Sequence, residues 1–195
     1  MKKQKEIFKN FDINQNWTLF LDRDGVINKK IEGDYVRNWQ QFRFLPKAID
    51  ALKILSEIFD RIIIVTNQRG IGRGLMTEQD LENIHKQMLR QLKKNGIEIT
   101  KIYYCPHDHE KETCNCRKPK TGMALKAKKD FPEIDFEKSI MVGDSQSDIE
   151  FAQNAGMKGV LINSCNSNEE KEVPVFNSLY EFARFLKETL KENHQ

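Results

Sequence analysis

Residues 17–28 read WTLFLDRDGVIN, an apolar run that stops at two aspartates one position apart, followed at once by glycine. Trp17, Thr18, Leu19, Phe20 and Leu21 have no polar face, the pattern of a short strand buried on both sides in a parallel sheet. Asp22 then stands at the carboxyl end of that strand. In extended backbone, residues i and i+2 share a side, so Asp22 and Asp24 address one spot while Arg23 points elsewhere. Gly25 permits a sharp turn and close approach of the backbone to a ligand. Taken alone, Asp-x-Asp-Gly is also a common way to cap a strand, so the remainder of the chain decides.

Three further polar clusters follow apolar runs. Ile62, Ile63, Ile64 and Val65 lead into Thr66, Asn67 and Gln68; Lys118 lies in CRKPK, downstream of the run 102–104; Ile140, Met141 and Val142 lead into Gly143, Asp144 and a second acid, Asp148. An aspartate pair, a strand-end threonine, a lysine and a GDxxxD, in that order, resemble the four motifs of the haloacid dehalogenase superfamily. The resemblance covers about residues 17–162.

Outward from these motifs, the bounds are simple. A chain of 195 residues suits one domain with a sizeable core, and we expect residues 1–16 to form an N-terminal extension and residues 17–195 a single domain. A hydrophobic content of 38% beside 31% charged residues argues against disorder. The formal charge of +3 is too slight to imply nucleic acid or membrane partners. No run approaches the roughly 20 apolar residues of a membrane span, and the Lys-rich start lacks the apolar core of a signal peptide. A cytoplasmic, monomeric chain is the expectation. Phe8, Phe11 and Ile13 are candidates to pin the extension to the body.

Between the motifs, strands alternate with helices. Pro46 is placed to open a helix with Ile49, Leu52 and Leu55 on its buried face. Thr77 and Asp80 form a capping-box signature before Leu81, Ile84, Met88 and Leu92, which recur at helical spacing until Gly96. His85 on that helix reads as packing or surface. A helix from near Gly122 closes at Phe131 and Pro132, a helix opened by Asp148 ends at Gly156, and a strand follows at residues 160–162. Ser178 and Glu181 begin a terminal helix that docks through Phe182, Phe185, Leu186 and Leu190. The sum is an α/β fold: a doubly wound, Rossmann-like parallel sheet covered on both faces, with ligands outside the carboxyl ends of its strands.

Three of the four cysteines lie within twelve residues. Cys105, His107, Cys114 and Cys116 give C-x-H, six residues, then C-x-C, a ligand set for tetrahedral zinc with no open position and therefore structural. A charged loop with hardly any apolar side chains needs such a metal to hold it. Cys165 stands apart from the cluster.

The resemblance implies a chemistry. Asp22 would be the nucleophile that becomes an aspartyl phosphate, and Asp24 the acid and base. Asp22, the Asp24 carbonyl and Asp144 would hold Mg2+ with Asp148 in support, and Thr66 and Lys118 would bind the transferring phosphoryl group. The gaps between motifs leave no room for a separate cap domain. FLDRDGVIN, IVTNQRGIGRG, YYCPH, CRKPKTGM and VGDS are similar to the heptose bisphosphate phosphatase family, and next to the histidinol-phosphate phosphatases; polynucleotide 3′-phosphatases are a more distant reading. Asn67, Gln68, Arg69, Arg73 and Arg117 are the expected contacts to a small phosphorylated sugar, with the arginines suited to a second phosphate. The short metal loop and Ser145, where the heptose family has a basic residue, depart from that pattern.

Overall fold

The computed structural model describes residue 8, residues 12–163 and residues 173–193 of the chain. Six parallel strands form one sheet in the order β3-β2-β1-β4-β5-β6. They are β1 (Thr18–Leu21), β2 (Arg61–Asn67), β3 (Lys101–Cys105), β4 (Ser139–Gly143), β5 (Lys158–Ile162) and β6 (Val175–Phe176). The helices are α1 (Ala48–Ser56), α2 (Arg69–Gly72), α3 (Glu78–Lys94), α4 (Gly122–Asp130), α5 (Gln146–Ala155) and α6 (Leu179–Asn193), with a 3-10 turn at Trp39–Gln41.

Strand alternation sorts the apolar residues onto two faces. Leu19, Leu21, Ile62, Ile64, Ile140 and Val142 pack with α1, α3 and α6, whereas Phe20, Ile63, Val65, Tyr103 and Met141 pack with α4 and α5. β1 is buried along its whole length because it has strands on both sides and helices on both faces. Its register sets Leu21 beside Ile64 of β2 and Val142 of β4, so β1 ends one residue short of β4 and three short of β2. Among the described residues, no helix is long and apolar enough to cross a membrane.

Several boundaries differ from the expectation. α1 starts at Ala48, because Lys47 adopts left-handed backbone (φ 59°) and breaks the turn after Pro46. The segment after Thr66 is not all loop: residues 69–72 coil into α2. Asp148 is the third residue of α5, paired with Ser145 in a capping box, rather than its first. β6 is two residues long, too short for a periodic signal. Thr77 and Asp80 do cap α3 as expected. Phe8 and Ile13 are buried, and the Phe8 ring lies 5.7 Å from that of Phe185 and 6.1 Å from that of Phe182 on α6. Phe11 and Cys165 lie outside the described residues.

Candidate active site

The ends of β1, β2 and β4 deliver the first groups. Asp22 follows β1 directly and its amide donates to the Val142 carbonyl at 2.9 Å. Thr66 is the penultimate residue of β2, and Asp144 follows β4. Gly25 has φ +89°, and a Cβ there would overlap the Asp144 carboxylate, so glycine is required for the two turns to touch.

Lys118 is the charge at the centre. Its Nζ lies 2.8 Å from Asp22 Oδ1 and 2.6 Å from Asp148 Oδ1, and donates to the Val65 carbonyl at 2.8 Å. Burial works against the ammonium, but Asp22 and Asp148 outweigh it and hold the pKa above the usual lysine range. Burial pushes the Asp22 carboxyl up, against the pull of Lys118. Asn67 grips the lysine backbone, accepting from its amide at 3.1 Å and donating to its carbonyl at 3.3 Å.

Asp24 is held by three donors. Arg23 Nη2 meets Oδ1 and Oδ2 at 3.0 and 2.9 Å, Asn28 Nδ2 meets Oδ1 at 2.8 Å, and Gln68 Nε2 meets Oδ2 at 2.9 Å. Burial raises the pKa of this carboxyl, yet the Arg23 charge and the hydrogen bonds from Asn28, Arg23 and Gln68 bring it below the usual range. Arg23 therefore does not point elsewhere; past the strand end the chain turns and brings it back onto its neighbour.

Asp22, Asp24, Thr66, Lys118, Asp144 and Asp148 line a cavity of about 260 Å³ with Lys30, Asp34, Tyr35, Asn67, Arg117, Ser145 and Ser147. Asp22, Asp144 and Asp148 bring carboxylate oxygens within 4.8 Å of one another, a donor set suited to a hard divalent cation. Asp148 spends Oδ2 on Ser145 Oγ (2.6 Å) and its amide (3.1 Å), besides its contact with Lys118, which fits a supporting part. The Lys30 ammonium rests 3.0 Å from Asp144 Oδ2.

The expected substrate contacts divide. Arg117 and Asn67 line the cavity, and Arg117 Nη1 is buried with no hydrogen-bond partner among the described residues. Gln68 is buried behind the cavity, bonded to Asp24 and to Thr66 Oγ1 at 2.8 Å. Arg69 is turned away and ion-paired with Asp108 and Glu110, both at 2.5 Å, because α2 directs it toward the cysteine loop. Arg73 is exposed and outside the cavity lining. Lys30 was not legible in the sequence, since a lysine in an irregular loop carries no pattern. The loop it belongs to walls the cavity through Lys30, Asp34 and Tyr35.

Cys105, His107, Cys114 and Cys116 converge with their ligand atoms within 4.8 Å. Cys105 Sγ is 2.9 Å from Cys116 Sγ and 3.6 Å from Cys114 Sγ, and His107 Nδ1 is 3.1 Å from Cys116 Sγ. His109 is not in the group.

A family model described as HAD-hydrolase-like matches residues 115–182. The D-glycero-alpha-D-manno-heptose-1,7-bisphosphate 7-phosphatase of Mycobacterium tuberculosis is 44% identical over 172 residues, covering 86% of this chain and 90% of that protein. The chain belongs to the heptose bisphosphate phosphatase family of HAD-like hydrolases. Within this family, the beta-named enzyme of Haemophilus influenzae is 37% identical over 90% of this chain and 100% of its own length. The solved D,D-heptose 1,7-bisphosphate phosphatase of B. bronchiseptica, complexed with magnesium and phosphate, superposes with a TM-score of 0.78 at 28% identity, covering 88% of this chain and 98% of that one. As a member of the heptose bisphosphate phosphatase family, the chain is a phosphoric monoester hydrolase.

Proposed function

We propose that the chain hydrolyses the 7-phosphate of D-glycero-D-manno-heptose 1,7-bisphosphate through a phosphoaspartate on Asp22. The observation that carries this reading is the buried Asp22–Lys118 pair facing a cavity that Arg117 also lines. The names of the relatives supply the sugar, and a second phosphate is the natural partner for that arginine.

Asp22 Oδ attacks phosphorus and the bond from phosphorus to the sugar oxygen breaks. Asp24, held ionised in the free chain, takes up a proton with the incoming phosphate monoanion, gives it to that oxygen and then takes one from the water that cleaves the phosphoaspartate. Lys118 and Thr66 meet the phosphoryl oxygens as charge spreads over them. Asp22, the Asp24 carbonyl and Asp144 would hold magnesium, whose charge relieves the repulsion between carboxylate and phosphate. The geometry fits, since among the described residues three carboxylates meet there beside the ammonium groups of Lys118 and Lys30. Cys105, His107, Cys114 and Cys116 would hold a structural zinc, fixing the loop that ends in Arg117 and Lys118.

The test is phosphate release with magnesium from both anomers of the bisphosphate and from histidinol phosphate, whose cationic groups have no counterpart in Arg117. The expected outcome is a kcat/KM for a bisphosphate about a hundredfold higher, roughly 2.7 kcal/mol of transition-state discrimination. A preference for histidinol phosphate would overturn the sugar assignment.

A further inference from the structure

A buried histidine 62 residues away in sequence touches the side chain that grips Asp24. We propose that His85 is a positioning residue for Asp24, acting through Arg23. The inference rests on Asp24 as the proton carrier of the reaction above.

Arg23 has a wholly buried side chain, with Nη2 on both Asp24 oxygens and Nη1 3.0 Å from His85 Nε2. Its Nε has no hydrogen-bond partner among the described residues. The guanidinium plane is thus fixed at two points, the carboxylate in front and the imidazole behind. Arginine only donates, so Nε2 is the acceptor and the imidazole is neutral. Burial and the adjacent guanidinium keep it so, pushing its pKa down to about 3. His85 is itself steadied by α3 and by the ring of Tyr104, 6.3 Å away, whose hydroxyl bonds to Glu78 at 3.2 Å.

Asp24 needs such a hold for a countable reason. A carboxylate offers about four in-plane lone-pair sites, and all are taken: Arg23 and Asn28 on Oδ1, Arg23 and Gln68 on Oδ2. When a proton passes through Asp24, one outer contact must be given up. Arg23, which spans both oxygens, is the partner that keeps the carboxylate plane meanwhile. Without His85 the guanidinium and the carboxylate drift together.

The experiment compares His85→Leu with His85→Gln, whose Oε1 can accept the same hydrogen bond, in the full chain with magnesium and at equal folded fraction by near-UV circular dichroism. The substrates are the heptose bisphosphate and p-nitrophenyl phosphate, whose leaving group needs no proton. His85→Leu is expected to lower kcat on the sugar by about tenfold with KM unchanged. On the aryl ester the first step is spared, so a burst of nitrophenolate near one equivalent per chain appears as water attack becomes limiting. His85→Gln is expected to recover most of the loss. Equal losses on both substrates without a burst, a glutamine variant as impaired as leucine, or no loss in His85→Leu would each overturn the proposal. An unsubstituted chain active on the aryl ester but not on the sugar would sink the substrate assignment while the burst still reads His85.

Discussion

The Lys118 ammonium lies 2.8 Å from the Asp22 carboxylate, with only 2% and 11% of the two side chains exposed. A pair so enclosed gains little net stability from its own attraction, because both ions have lost their water. What it provides is a pull toward the charged form of Asp22, set against a burial that raises its pKa to about 7. Removing either partner therefore has unequal consequences.

Asp22→Asn takes away the nucleophile but leaves Lys118 paired with Asp148. Turnover should fall by about 10⁴-fold or more, while the melting temperature stays within a few degrees. Steady-state assays and thermal melts of the same preparation check both halves; residual turnover near the unsubstituted rate would refute the nucleophile assignment.

Lys118→Met does the reverse, leaving Asp22 and Asp148 buried without their shared cation. Loss of activity should come with a destabilisation of about 3–5 kcal/mol, the usual penalty for orphaning a buried charge. Urea unfolding at neutral pH measures it, and a change under about 1 kcal/mol would mean that water already screens the pair.

Arg117→Met should weaken recognition of the second phosphate and leave the chemistry alone. One charge-assisted hydrogen bond is worth about 1.5–3 kcal/mol, so KM for the bisphosphate should rise by about 10- to 100-fold at nearly constant kcat. Heptose 7-phosphate, lacking the other phosphate, should show no such rise. A parallel rise on both substrates would place Arg117 on the reacting phosphate instead.

Metal analysis of the purified chain should find about one zinc, and none in the Cys114→Ser, Cys116→Ser double variant. That variant should melt at lower temperature and lose activity through displacement of Lys118. Unchanged melting without zinc would show that the loop holds itself.

His85 also gives stability a pH dependence. Its folded pKa of about 3 lies below the unfolded value near 6.5, so the unfolded chain binds the extra proton between those limits. Its contribution is complete above about pH 6.5 and is lost as pH falls toward 3. At pH 5 the loss is about 2 kcal/mol. Denaturant midpoints of the unsubstituted chain and His85→Gln, compared from pH 7 to 5, should converge as pH falls.

The parts of the site legible in the sequence are those announced by strand endings or fixed spacing. Asp22, Thr66 and Asp144 each follow an apolar run, and the C-x-H and C-x-C pairs gather as their spacing implied. His85 read as packing or surface; the structure buries it, and its partner was not legible, because helical periodicity names a face and not what lies across it. Arg69 and Gln68 misled for another reason. A basic or amide side chain after a strand end looks available to substrate, and only the coil of α2 shows that Arg69 serves Asp108 and Gln68 serves Asp24. Cavity-facing Lys30 depends on a loop path that no local pattern encodes.

Cys116, Arg117 and Lys118 are consecutive, so a member of the cysteine–histidine cluster, a cavity-lining guanidinium and the buried ammonium share one short string. The cluster acts as a datum from which the position of the lysine is measured. Residues 111–113, exposed and upstream of the last two cysteines, should accept insertion or loss with little effect, because the chain is reset when it reaches Cys114 and Cys116. A single residue added between Cys116 and Lys118 has no such correction, and it would move the ammonium off both aspartates at once.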